Sequence, residues 1–145
     1  MGSGTHGFTY DPRIGEVLLT ERGMRIPRSV DSRRQYSTNE GYRVTWDERV
    51  VAFIDEKKEG RAPHKQRYIG TFIADFHRTL VYGGIFLYPA NADSPKGKLR
   101  LLYECNPASF ILEQVTKMTK YVSLTRPHFL CLGWWHGLGW EAEHP

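Results

Sequence analysis

Apolar positions fall into short separate blocks, and their spacing changes along the chain. Near the start, Asp11-Pro12-Arg13-Ile14-Gly15 sets a proline and a glycine at turn spacing before the apolar run Val17-Leu18-Leu19, which predicts a hairpin. Residues 22 to 35 are arginine-rich and show no period. Thr45-Trp46-Asp47-Glu48 has the form of a capping box, with the Thr hydroxyl and the Glu carboxylate satisfying free N–H groups of a first turn. Val50, Val51, Phe53 and Ile54 give the following helix its apolar face, and Lys57, Lys58 and Gly60 mark its end. Phe72, Phe76 and Leu80 recur at helical spacing, predicting a second helix from Thr71 to Val81 that the pair Gly83-Gly84 terminates. Ile85 to Tyr88 is the best core strand, stopped by Pro89. Asn106 and Pro107 have the chemistry of an N-cap and a first helical residue, opening a helix towards Gln114.

Composition narrows the class without changing these elements. A chain of 145 residues that is 40% hydrophobic suits one domain with an adequate core. The net charge of +4 arises from 20 basic and 16 acidic residues spread along the chain, so this is not a nucleic-acid polycation. The cluster Arg25, Arg28, Arg33 and Arg34 lacks the interleaved aromatics of a single-strand binder and is expected to be a solvated loop. Cys105 and Cys131 have no CxxC spacing, which argues against a disulfide framework or a zinc site and for a reduced intracellular protein. No apolar run approaches membrane-spanning length, so neither nucleic acid nor membrane is expected as a partner. His77 has no second ligand three or four positions away and is expected to be a packed or surface histidine.

The chemistry concentrates in Lys98-Leu99-Arg100-Leu101-Leu102-Tyr103-Glu104-Cys105, where two cations and a carboxylate interrupt an apolar run. A buried charge needs a partner. Taken alone, Glu104 is more often a carboxylate satisfied by a neighbouring arginine or by helix N–H groups than a ligand. Its surroundings favour a built site. Arg67-Tyr68, Ala74-Asp75-Phe76-His77-Arg78, Gly83-Gly84-Ile85-Phe86-Leu87-Tyr88-Pro89 and Gly97-Lys98-Leu99-Arg100-Leu101-Leu102-Tyr103-Glu104 occur in the order found in the C-terminal half of class 1 fructose-1,6-bisphosphatases. Upstream, Gly7 to Pro12, Gly15-Glu16 and Tyr36-Ser37-Thr38-Asn39-Glu40-Gly41-Tyr42 resemble that family's preceding segments.

The resemblance covers residues 4 to 114 and implies an α/β fold, the sugar-phosphate-binding half of a layered sandwich in which helices cover a mixed sheet. After Gln114 the family has a Gly-Gly turn, where this chain reads Val115-Thr116-Lys117. Residues 115 to 145, with Trp134, Trp135 and Trp140, are expected to be a divergent, poorly ordered tail that stays out of the sheet. The family's N-terminal domain is expected to be missing, which makes the chain a partial and inactive fragment.

By the same resemblance, Asn39, Tyr42, Tyr68, Tyr88 and Lys98 match positions that bind the sugar and its carbon-6 phosphate. Arg67 matches an arginine reaching a neighbouring subunit's site, and Glu104 matches a metal ligand. The implied activity is hydrolysis of the carbon-1 phosphate of fructose 1,6-bisphosphate to give fructose 6-phosphate, with Mg2+, in a cytoplasmic homotetramer. An organelle is the alternative location if a targeting segment preceded the chain. Sedoheptulose-1,7-bisphosphatase is the nearest alternative activity. A non-catalytic role in sugar-phosphate binding or subunit interaction is the alternative of a different class.

Overall fold

The computed structural model describes residues 4–27, 33–95, 97–115 and 129–132. Gly7–Asp11 (β1) and Glu16–Glu21 (β2) form the expected antiparallel hairpin. Gln35–Ser37 (β3) leads into a 3-10 helix over Glu40–Thr45, then Glu48–Glu59 (α1), Lys65–Gln66 (β4), Phe72–Tyr82 (α2) and Ile85–Pro89 (β5). One π-helical turn, Leu101–Cys105, runs into Asn106–Val115 (α3), and Phe129–Leu132 (β6) closes the described chain.

The four strands β4-β3-β5-β6 make a mixed sheet, parallel between β3 and each of its neighbours and antiparallel between β5 and β6. Helices cover both faces. Phe86 points into a cluster with Phe76 and Leu80 of α2 and Ala108, Leu112 and Val115 of α3. Its neighbours Ile85 and Leu87 point the other way, into Tyr36, Trp46, Phe53 and Ile54. That alternation explains why β5 is a continuous apolar run: a strand buried on both faces has no polar side to show. The α/β layering read from the sequence is therefore the architecture found.

Gly84 sets the turn between α2 and β5. At φ +100, an added Cβ would lie 2.6 Å from the Gln35 carbonyl oxygen, so only glycine lets the helix exit pass this close to β3. Thr71 caps α2 as expected, its hydroxyl accepting from the Ala74 N–H. In the basic segment, Arg25 donates to the Gln114 carbonyl at 3.2 Å and the Arg33 guanidinium sits 4.0 Å from the Tyr82 ring centre, while Arg28 lies outside the described residues. His77 is exposed.

Three local expectations are corrected. The cap of α1 is Asp47 rather than Thr45: the Asp47 carboxylate accepts from the Arg49 N–H, whereas the Thr45 hydroxyl closes the preceding 3-10 helix by donating to the Tyr42 carbonyl at 2.8 Å. Asn106 is no N-cap, because its helical angles (φ −64, ψ −48) continue a helix already begun at Leu101. Four residues of the segment after Gln114 do join the sheet, Phe129–Leu132 pairing residue for residue with Phe86–Pro89, while residues 116–128 and 133–145 lie outside the described residues. Trp134, Trp135 and Trp140 lie outside the described residues.

The Asp47 cap carries a pH signature. Hydrogen bonds from the Arg49 side chain and backbone N–H hold its carboxyl down at about 2, against 3.8 as the reference value. The folded value is the lower one. Its contribution is therefore complete above the unfolded value and lost as pH falls through about 2. The pair is largely exposed, so Asp47→Ala is expected to cost about 0.5 kcal/mol, the low end for a cap. Helical circular dichroism during acid titration should lack this step in the variant.

Candidate functional site

Where β3 and β5 end side by side, their C-terminal ends and the loop after β5 line a small cleft open to solvent. Its walls are Thr38, Asn39, Tyr42 and Trp46 from the β3 side, Leu87 to Pro89 from β5, and Asn91, Ser94 and Lys98 from the loop. Of the residues singled out from the sequence, Asn39, Tyr42, Tyr88 and Lys98 meet here, although nearly sixty positions separate the first from the last. The ends of parallel strands are the usual place for a ligand in an open α/β sheet.

Each wall has a local cause. Asn39 caps the 3-10 helix through Gly41 N–H at 3.1 Å, and that helix carries Tyr42 to the rim. The loop after β5 folds on Asn91, whose side-chain oxygen accepts the Ser94 N–H at 2.8 Å. Its second residue, Ala92, donates from its N–H to the Thr45 carbonyl at 3.1 Å, pinning the loop to the opposite wall. Lys98 emerges from that loop, its ammonium 3.4 Å from the Tyr42 hydroxyl and 5.0 Å from the centre of that ring. Hydrogen bonding to Tyr42 raises the Lys98 pKa, so the cation persists across neutral pH.

Tyr68 stands against the same cluster. Burial raises its pKa first, with contributions from Tyr88 and Asp75, and the Asn39 side chain hydrogen-bonds it. A phenol so placed keeps its proton and remains available as a hydrogen-bond donor. The loop bearing Tyr68 is fixed by Asp75 of α2, which is fully buried and accepts from Ile69 N–H at 3.1 Å, Gly70 N–H at 3.1 Å, the Ser37 hydroxyl at 2.6 Å and Arg78 at 2.8 Å.

Arg67 and Glu104 lie apart from the cleft walls. Arg67 is exposed, its backbone N–H bonded to the Tyr36 carbonyl and its guanidinium donating to the Gln66 carbonyl. Glu104 accepts the Arg100 N–H at 2.6 Å and pairs with the Arg100 guanidinium at 3.5 Å, which is how the first turn of its helix is capped. The apolar run around it is not buried: Leu101, Leu102 and Tyr103 are 62%, 78% and 65% exposed. So Glu104 is not a charge buried in a core.

One fixed cation, three phenols and an amide thus meet at the ends of parallel strands, the donor types that hold an anion and hydroxyl groups. The sequence profile of the fructose-1,6-bisphosphatase C-terminal domain matches residues 30–120, a span that contains the whole cleft. The chain belongs to the fructose-1,6-bisphosphatase family. It is 51% identical to fructose-1,6-bisphosphatase isozyme 2 of Bos taurus over 116 residues, covering 78% of this chain and 33% of that protein. Identity is 49% with the cytosolic fructose-1,6-bisphosphatase of Oryza sativa subsp. indica and 50% with the class 1 enzyme of Chloroherpeton thalassium, at the same coverage. The chain thus spans about a third of the length of the curated relatives it matches.

Within this fructose-1,6-bisphosphatase segment, sequence reasoning missed Thr38, Trp46, Asn91 and Ser94 as cleft walls and Asp75 as the residue that fixes the Tyr68 loop. Asn91 had a visible signal, since an Asn three residues before a Ser ahead of Pro95 is turn chemistry. The partners of Asp75 are spread from Ser37 to Arg78, and no local pattern marks them. Among the described residues, no group of three or more His, Cys, Asp or Glu side chains is placed to hold a metal ion. Glu104 is a single carboxylate already engaged by Arg100, so these residues do not by themselves make a magnesium site. Among the described residues no helix is long and apolar enough to cross a membrane.

Proposed function

We propose that the cleft holds the fructose 6-phosphate part of fructose 1,6-bisphosphate, and that this chain serves the hydrolysis of the carbon-1 phosphate. The observation that carries the reading is the convergence of Asn39, Tyr42, Tyr88 and Lys98 on one cleft, with Tyr68 against it. Lys98 supplies the fixed charge opposite a phosphate dianion. Tyr42, Tyr68 and Tyr88 supply oriented donors, and Asn39 both donates and accepts towards the sugar hydroxyls. Arg67, exposed at the edge, is suited to reach a second subunit, in keeping with a homotetramer.

Hydrolysis of a phosphate monoester by this family is proposed to use Mg2+, which activates water and stabilises the leaving oxygen. Glu104 contributes one carboxylate at most, so the remaining ligands must come from polypeptide beyond the described residues. Binding without turnover is therefore the expected behaviour of this chain by itself, and it is the form in which the non-catalytic reading is favoured. The alternative substrate is sedoheptulose 1,7-bisphosphate, decided by comparing turnover of both sugars by a full-length enzyme carrying this segment. A cytoplasmic location is proposed from the cytosolic rice relative.

Calorimetry of the purified chain with fructose 6-phosphate tests the reading. Lys98→Ala is expected to bind roughly tenfold to a hundredfold more weakly, the loss of one charged hydrogen bond. Equal affinity in both proteins would show the pocket to be misassigned. Release of phosphate from fructose 1,6-bisphosphate by the chain alone, abolished by Glu104→Gln, would overturn the expectation that it does not turn over.

A further inference from the structure

The 3-10 helix Glu40–Thr45 carries Tyr42 to the cleft rim, yet none of its residues is buried and Val44 is 93% exposed. A 3-10 turn also has poorer hydrogen-bond geometry than an α-helix, so its own bonds do not explain its fixed place. Charge does. At its first residue, the Glu40 carboxylate accepts from the Lys58 ammonium of α1 at 2.9 Å and from the hydroxyl of Tyr36, a buried residue of β3. In its last turn, the Arg43 guanidinium pairs with the Asp55 carboxylate of α1 at 2.7 Å. Asp55 and Lys58 are three positions apart and so stand on one face of α1. Nη1 of Arg43 is buried and has no acceptor among the described residues, which leaves Asp55 as the group that fixes the guanidinium.

The two pairs have opposite sense, a carboxylate of the 3-10 helix on an ammonium of α1 and a guanidinium on a carboxylate. Sliding the 3-10 helix along α1 by one turn would bring Glu40 to Asp55 or Arg43 to Lys58, so the charges set the register as well as the contact. Between the paired residues lies Tyr42, a cleft wall whose hydroxyl is 3.4 Å from the Lys98 ammonium, and just ahead of them lies Asn39. We propose that Glu40 and Arg43 are positioning residues for the cleft, their ion pairs to Lys58 and Asp55 clamping the 3-10 helix on α1 and thereby setting where Asn39 and Tyr42 stand. Neither is a cleft wall, and both act through those two neighbours. For its ligand the inference rests on the sugar-phosphate reading of the cleft; for its geometry it does not.

Calorimetry of the intact chain with fructose 6-phosphate gives a test in which the sign decides. Asp55→Ala removes a negative charge, and by the field alone it would tighten the binding of a phosphate. The clamp requires the opposite, a loss of about twofold to fivefold, the range for a partly exposed ion pair. Alanine favours the helix, so α1 itself is spared. Asp55→Glu keeps the charge within reach of Arg43 and should retain the affinity. Arg43→Ala should weaken binding as Asp55→Ala does, and the double variant no further than either, because both break one pair. Glu56→Ala takes the same charge from the same helix at a position paired with Lys57, and should cause no loss. A second readout needs no ligand: the nuclear Overhauser contact between the Tyr42 ring and the Lys98 side chain should weaken in Asp55→Ala and persist in Asp55→Glu. Should the unaltered chain fail to bind fructose 6-phosphate, the sugar-phosphate reading falls and this contact alone decides the clamp. Equal or tighter binding by Asp55→Ala, with the Tyr42–Lys98 contact intact, overturns the clamp and leaves that reading standing. A contact unchanged in Asp55→Ala overturns it where no ligand binds.

Discussion

Asp75→Ala is expected to destabilise the chain by about 3–5 kcal/mol, the range for removing one partner of a buried charged network. The carboxylate is fully buried and engages the Ser37 hydroxyl of β3, the N–H groups of Ile69 and Gly70, and Arg78 on its own helix. Without it, Arg78, only 14% exposed and already carrying a buried Nε with no acceptor, loses its counter-charge. Asp75→Asn should recover little, because an amide turns donors towards donors. Chemical denaturation checks the magnitude. Fructose 6-phosphate binding, measured where the variant is still folded, should also weaken, since the Tyr68 loop is released.

Stopping the chain before Phe129 is the second large effect. It strips the antiparallel ladder from Phe86–Pro89, and at about 1 kcal/mol net for each backbone hydrogen bond a loss of roughly 2–4 kcal/mol is expected. The exposed edge of β5 is also a template for pairing with another chain, so the shortened protein should aggregate more readily. Thermal unfolding and light scattering measure both. Unchanged stability and scattering would return these residues to the role that the sequence suggested, a tail outside the sheet.

These two sites mark where the sequence could and could not be read. The hairpin, α2 and β5 were legible because turn residues and apolar period agree locally: Pro12 and Gly15, Phe72 to Leu80 before the glycine pair, then Ile85 to Leu87. The cap of α1 was misplaced by two residues because Thr45 and Asp47 are both capping types, and only the 3-10 helix before them decides which is free. Leu101 to Tyr103 show the limit of an apolar run as a sign of burial, since all three face outward. Strand β6 was hidden because Phe129 to Leu132 finds its partner in β5, forty or more positions back.

The cleft was legible only as a set. Tyr42, Tyr68 and Tyr88 are ordinary residues one at a time, and their ordered match to a family singled them out. Their meeting follows from topology: β3 and β5 are parallel neighbours, so the segments after them emerge at one end of the sheet. Asp75 then completes the arrangement from the helix between them.

The most direct measurement of the central claim is a nuclear magnetic resonance titration of the intact chain with fructose 6-phosphate, observing tyrosine rings and lysine side chains. The account predicts that Tyr42, Tyr68, Tyr88 and Lys98 shift together along one saturating curve, with inorganic phosphate reproducing the Lys98 shift at higher concentration. Shifts confined to other residues, or none at all up to saturating sugar phosphate, would contradict it.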